Sequence, residues 1–174
     1  MQESLILVDQ NGLRTGVAER GVCHQGACIR YRAFVTFLYT SDCKYLIQKR
    51  AGCKLGGDRW DVSATSHVWA NESYGAAINR CLKHELGITE PVRTQYQLAY
   101  IYQHQLGGYA ENEHCSLFLI NYDGPVQGNT DEMDEIRWLT FADLSVWVEQ
   151  DEKQFTQWFA EAFRRMSVQK AGLY

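Results

Sequence analysis

The segment WDVSATSH, Trp60 to His67, ends an apolar, strand-like run just ahead of a helical pattern, a position where enzymes often present reactive groups. Glu85 is a second anomaly. From Glu72 onward Tyr74, Ala77, Ile78, Cys81, Leu82 and Glu85 share one helical face, so a carboxylate ends an otherwise apolar stripe. Burying it is costly unless a cation or hydrogen-bond donors meet it. A metal ion would serve, and so would a frayed helix end reaching water or an arginine. Glu111 and Glu113 in GYAENEHC lie two apart, so on a strand they project to the same side, roughly 7 Å apart. Two like charges there invite a bridging cation; a solvated strand end is the simpler account of the pair alone. Spacing cannot join His24 to His67, and each alone reads as a surface or hydrogen-bonded core histidine. Only assembly with Glu111 and Glu113 would make them ligands. Arg50 and Lys54 stand where a strand gives way to a glycine-containing loop, a setting that suits phosphate contacts, and Arg20 flanks another turn. Without a ligand these are ordinary surface charges, and Trp158 is ordinary core.

The elements that must position these groups follow from periodicity and turn chemistry. SLILVDQNGLRTGVAER reads as two short strands around Gln10-Asn11-Gly12, because Asn-Gly supplies the positive φ of a tight hairpin; a polar connection holding Cys and His follows. RAFVTFLYT and KYLIQKR form a second hairpin across Ser41-Asp42-Cys43, and AGCKLGGDR is a loop. Asn71 is placed to cap the helix that begins near Glu72, and Gly87 closes it. YQLAYIYQHQ, a glycine loop, EHCSLFLINYD and EIRWLTF are β-rich in their aromatic and branched residues. In FTQWFAEAFRRM, Phe155, Trp158, Phe159, Ala162, Phe163 and Met166 repeat at helical spacing, which predicts a buried stripe. This order of elements predicts an α+β fold, a mixed β-sheet with helices packed on its faces.

With 45% hydrophobic and 22% charged residues, the 174-residue chain has enough apolar material for one compact domain. Its N-terminal hairpin, about residues 1–30, and C-terminal helices, about 141–168, are read as extensions of that domain. A net charge of −4 argues against a nucleic-acid footprint, so any anionic ligand must be met by local cations. The six cysteines include no CxxC pair and are too sparse for a secreted disulfide framework, which points to reduced thiols in a cytoplasm. The apolar run near the N-terminus has no basic flank and is too short for a signal peptide or a membrane span.

Glu72, seven intervening residues, Arg80 and then CLKHELGI form a reduced version of a known helix motif, accompanied along the chain by AERGVCH, KRAGCK, SHVWANES, IYQHQ, GYAENEHC and FTQW. With these segments the chain resembles the type I isopentenyl-diphosphate isomerases of the Nudix superfamily, from about Leu5 to about Phe163. The resemblance implies a Nudix fold, a mixed sheet sandwiched between helices. It implies His24, His67, Glu111 and Glu113 as metal ligands, with Glu113 also moving protons and Glu85 as the surviving glutamate of the helix motif. Arg20, Arg50 and Lys54 are implied as diphosphate contacts, Tyr102 as an active-site tyrosine, and Trp158 as an aromatic stacked over a developing carbocation.

Two positions depart from that pattern. Thr65 stands where the isomerases carry a catalytic cysteine, and Tyr31 where they carry a further metal-binding histidine. A threonine hydroxyl cannot relay protons as a thiolate does, so it puts ordinary isomerase turnover in question. The expected cofactor is Mg²⁺ or Mn²⁺, with Zn²⁺ an alternative at the His/Glu site. The expected partner is a small diphosphate, not nucleic acid or membrane, and the protein is expected to be a monomer or a homodimer. Hydrolysis of a diphosphate linkage and binding without catalysis stand as the alternative activities.

Overall fold

The computed structural model describes residues 4–25, 28–106 and 108–171. The first predicted hairpin is β1 (Ser4–Val8) and β2 (Arg14–Glu19), turning through Gly12 at φ 78° with the Asp9 carboxylate accepting from the Asn11 and Leu13 amides. The polar connection that follows begins with one helical turn, α1 (Arg20–Cys23). Residues 26 and 27 of that connection, and residue 107 of the glycine loop, lie outside the described residues.

The sheet is organised around β3 (Tyr31–Tyr39), whose side chains are almost all buried because helices cover both of its faces. It runs parallel to β8 (Tyr109–Asn121), from Tyr31 opposite Glu113 to Tyr39 opposite Asn121. On its other side it runs antiparallel to β6 (Ala64–His67), with Ala33 opposite His67 and Val35 opposite Thr65. β7 (Gln95–Leu106) extends the sheet beyond β8 and sets Tyr102 opposite Glu113. β4 (Lys44–Arg50) completes the second hairpin and pairs with β5 (Trp60–Asp61) and β9 (Met133–Thr140).

Alternation along β3 divides the core in two. Phe34 and Leu38 face α2 (Tyr74–Leu86), where Ile78, Leu82 and Leu86 are fully buried. Ala33, Val35 and Phe37 face α3 (Phe141–Gln150) and α4 (Gln157–Ala171). The cap of α2 is Ser73, not Asn71: its hydroxyl accepts from the Ala76 amide at 3.2 Å, two residues later than the sequence pattern placed it. Phe155 also lies outside the predicted helix, in extended backbone ahead of α4, bridged to Trp60. Gly87 closes α2 in the left-handed region, as expected. Among the described residues no helix is long and apolar enough to cross a membrane.

Phe155, Phe159 and Phe163 stack in sequence, with centroids 4.6 and 5.6 Å apart, and Phe159 meets Phe37 edge-on. Phe159 is the middle of this ladder and has no exposed surface. Phe159→Ala should lower the unfolding free energy by about 3–5 kcal/mol, read as a fall in the denaturation midpoint at unchanged slope. A loss under about 1 kcal/mol would contradict a tightly packed ladder.

Candidate active site

Three neighbouring strands deliver side chains to one end of the sheet. Tyr31 on β3 faces Glu113 on β8, and Ala33, two residues on, faces His67 on β6, so Tyr31, His67, Glu113 and Glu111 share one face. The Tyr31 hydroxyl donates to Glu113 Oε1 at 3.4 Å and lies 3.3 Å from His24 Nδ1. His67 Nε2 is 3.8 Å from Glu113 Oε1, and the two imidazole centroids are 5.1 Å apart. His24 is buried behind the stacked Tyr109 ring, with its Nδ1 3.1 Å from the Ala110 carbonyl. If that nitrogen carries the proton, the other nitrogen is left as an acceptor. His24 Nε2 is buried and has no partner.

Burial dominates the electrostatics. It pushes the Glu113 carboxyl far above its ordinary range, helped by the Glu111 charge, while the bonds from Tyr31 and Cys115 oppose it. Glu111 is raised to about 7, by burial and then by the Asp61 charge. Burial lowers both His24 and His67, so these imidazoles are held neutral. The Tyr31 phenol is pushed up by burial and by Glu113, which makes it a neutral donor to that carboxylate and a poor anionic ligand.

Among the described residues no three His, Cys, Asp or Glu side chains already converge on a point as a metal group. The donor set nonetheless suits a divalent cation. A neutral imidazole with its other nitrogen on a backbone carbonyl is a ready ligand. His24 Nε2 lacks a partner, and a cation would relieve the mutual repulsion of Glu111 and Glu113.

The same pocket, about 540 Å³, has a basic wall. Arg20, Arg50 and Lys54 line it, together with His67, Thr65, Glu85, Glu111, Glu113 and Trp158. Lys54 is tied to Glu132 at 2.7 Å, and Glu132 also meets His84 at 3.0 Å. Glu85 is half-buried on the pocket wall, where Gln48 Nε2 and Cys81 Sγ each donate to it at 2.9 Å. Burial still raises its carboxyl, against the pull of those two bonds. Arg80 donates to both Glu72 oxygens at 2.7 and 2.9 Å and to the His67 carbonyl at 3.1 Å, and it stacks 3.7 Å over Trp69. That cluster fixes the connection from His67 to α2.

Thr65 lines the pocket, but its hydroxyl proton is donated to the Phe34 carbonyl at 2.9 Å. Tyr102 is not on this wall. It lines a neighbouring cavity, in register with Glu113, and its buried hydroxyl has no partner. Trp158 is on the wall, with the Arg50 guanidinium 5.4 Å from its ring centroid. Gly56, at φ +70°, lies so close that a Cβ there would meet Trp158 Cη2 at 2.9 Å. Sequence reasoning missed Asp61, a fully buried carboxylate that bonds both Trp158 and Arg50. Its signal was an acidic residue inside the apolar run of WDVSATSH, the same kind of anomaly as Glu85.

The raised Glu111 carboxyl fixes the sign of a pH effect. A folded pKa of about 7 against an unfolded value near 4.5 means the native state holds the proton more tightly. That stabilisation is fully present below about 4.5 and is lost as pH rises through 7. His24 and His67, with lowered values, act oppositely and lose stability as pH falls below about 6.5. Without added metal, the wild type should therefore lose on the order of 2 kcal/mol between pH 4.5 and 7.5 relative to Glu111→Gln, by urea denaturation. Parallel pH profiles for the two proteins would refute it.

Residues 29–159 match the NUDIX domain. The isopentenyl-diphosphate Delta-isomerase 2 of Aromatoleum aromaticum is 29% identical over 168 residues, covering 95% of this chain and 87% of that one. The isopentenyl-diphosphate Delta-isomerase 1 of Photorhabdus laumondii is 30% identical over 160 residues, covering 90% of each. The crystal structure of DR0079 from Deinococcus radiodurans superposes with a TM-score of 0.74 at 20% identity, covering 94% of this chain and 98% of that one, a likeness of fold. The α+β architecture, the pairing of Arg80 with Glu72 and these likenesses agree: the chain belongs to the NUDIX family and is an isopentenyl-diphosphate isomerase-like member of it.

Proposed function

We infer that the protein is a divalent-metal-dependent enzyme acting on a small prenyl diphosphate, and that it shifts the substrate's carbon–carbon double bond by adding a proton at one end and removing one from the other. The observation that carries this reading is the pairing, in one pocket, of the basic wall of Arg20, Arg50 and Lys54 with His67 and the buried carboxyls of Glu111 and Glu113. An unactivated alkene is a weak base, so its protonation needs an acid kept from water. Glu113 supplies that acid, while Tyr102, in register with it but lining the neighbouring cavity, is left out of the proton transfer. Trp158 offers an indole face to the tertiary cation formed between the two proton steps. His24, His67, Glu111 and Glu113 would hold one divalent cation, Mg²⁺, Mn²⁺ or Zn²⁺, and Glu85 would serve a diphosphate-bound Mg²⁺. When bound, such a cation supplies fixed positive charge that sets the acidity of the carboxyls it touches.

Hydrolysis of a diphosphate linkage has less support. Water activation on the NUDIX helix usually needs several carboxylates around the metal, and here Cys81 and His84 stand at two of those positions. Calorimetry with isopentenyl and dimethylallyl diphosphates in Mg²⁺ tests the binding half of the proposal, and the absence of heat with either would sink it. For the reaction, Thr65→Cys should raise the rate of double-bond movement at least about tenfold, and Glu113→Gln should lower it by about 10²–10⁴. Both are read by proton NMR of the homoallylic and allylic isomers; no gain from the new thiol would count against proton transfer at that strand position.

A further inference from the structure

Asp61 has no exposed surface, and its carboxylate is saturated with donors. The Trp158 indole N–H reaches both of its oxygens, at 2.7 and 2.8 Å. Arg50 Nη1 donates to Oδ2 at 2.8 Å, Thr156 Oγ1 to Oδ1 at 3.0 Å, and the Val62 amide to Oδ1 at 2.8 Å. Arg50 is itself fixed from behind, its Nε donating to the Leu55 carbonyl at 2.8 Å. Three separate pieces of chain, the end of β4, β5 and the start of α4, are thereby drawn to one charge.

Full burial of an unshared carboxylate is costly, and a structural tie between these elements could be made by a neutral acceptor. What the negative charge adds is electronic. An anion accepting the indole N–H pushes electron density into the ring and deepens the negative potential of its faces, which is the property that attracts cations. The Arg50 guanidinium, held by Asp61, lies over the ring at 5.4 Å from its centroid, and Arg50 also stands on the basic wall of the pocket.

We propose that Asp61 is a positioning and specificity residue: it aims the Trp158 indole and enriches its face for a ligand that carries positive charge in its hydrocarbon part, while orienting Arg50 toward the ligand's anionic end. This rests on the prenyl diphosphate reading above. It adds that Asp61, through its bonds to Trp158 and Arg50, sets how strongly the pocket prefers a ligand cationic in its hydrocarbon part over a neutral one of the same shape.

The test compares two ligands by calorimetry in Mg²⁺, a dialkylaminoethyl diphosphate whose ammonium mimics the cation and dimethylallyl diphosphate, its uncharged counterpart. The quantity read is the ratio of their dissociation constants. Asp61→Asn keeps the shape and one acceptor but removes the charge, and should cut the preference for the ammonium ligand about tenfold. A purely structural role would weaken both ligands alike, so an unchanged ratio overturns the proposal. Trp158→Phe leaves Asp61 with Arg50 and removes the indole together with its bond to Asp61. It must lower the same ratio, and this keeps the test decisive if Asp61→Asn does not fold. A wild type that binds neither ligand refutes the diphosphate reading itself, whereas one that binds both with equal preference refutes only the role of Asp61.

Discussion

The register of β3 against β8 on one side and β6 on the other is the constraint on which the site depends. Side chains alternate with a period of two, so a slip of one residue would turn Glu111, Glu113 and their partners away from the pocket. Nothing in the site itself could enforce that register, because two carboxylates side by side repel each other. The apolar alternation of β3 enforces it: Phe34 and Leu38 on the α2 side, Ala33, Val35 and Phe37 on the other, each set fully buried. The core thus fixes in place a cluster of groups that would not assemble by themselves.

That cluster is electrostatically unfavourable without a ligand. Two glutamates are held in or near their protonated forms and two imidazoles in their neutral forms, all by burial. Elsewhere the buried charges are compensated. Asp61 has four donor groups, Glu85 has two, and Arg80 divides itself between Glu72, the His67 carbonyl and the face of Trp69. The contrast is between charges tied by several donors and a cluster whose groups are held uncharged by burial, with His24 Nε2 left without a partner.

Much of the fold was legible in the sequence because its signals are local. Asn-Gly marked the first turn, helical spacing marked α2 and α4, and Gly87 marked a helix end. Misplacements came where two local signals competed: Asn71 and Ser73 are both good caps, and only the backbone geometry selects Ser73. Phe155 continues the stripe of α4 by spacing, yet its stacking on Phe159 is made from extended backbone ahead of the helix. The site was legible as residue types but not as contacts. Asp61 and Trp158 are separated by 97 positions, and no spacing rule joins them. Nor could spacing show that Tyr102 lies behind the pocket wall, since that depends on the packing of α4 over β7.

The two departures from the isomerase pattern fall on adjoining strands, and each is absorbed by a hydrogen bond. Thr65 gives its proton to the Phe34 carbonyl across the β3–β6 pair, and Tyr31 gives its own to Glu113 across the β3–β8 pair. Neither substitution disturbs the basic wall, and the imidazoles and glutamates that remain still share one face of the sheet. On the resemblance, both substitutions bear on proton traffic, and Tyr31 also leaves the metal centre one imidazole short. Against the isomerase pattern, a hydroxyl whose proton is already committed stands in place of a thiol, and a phenol that keeps its proton in place of a basic imidazole. The acidic side of the pocket is strengthened and its basic side weakened. On the double-bond-shift reading both are needed, so the removal of the second proton is the step that these two residues leave least supplied.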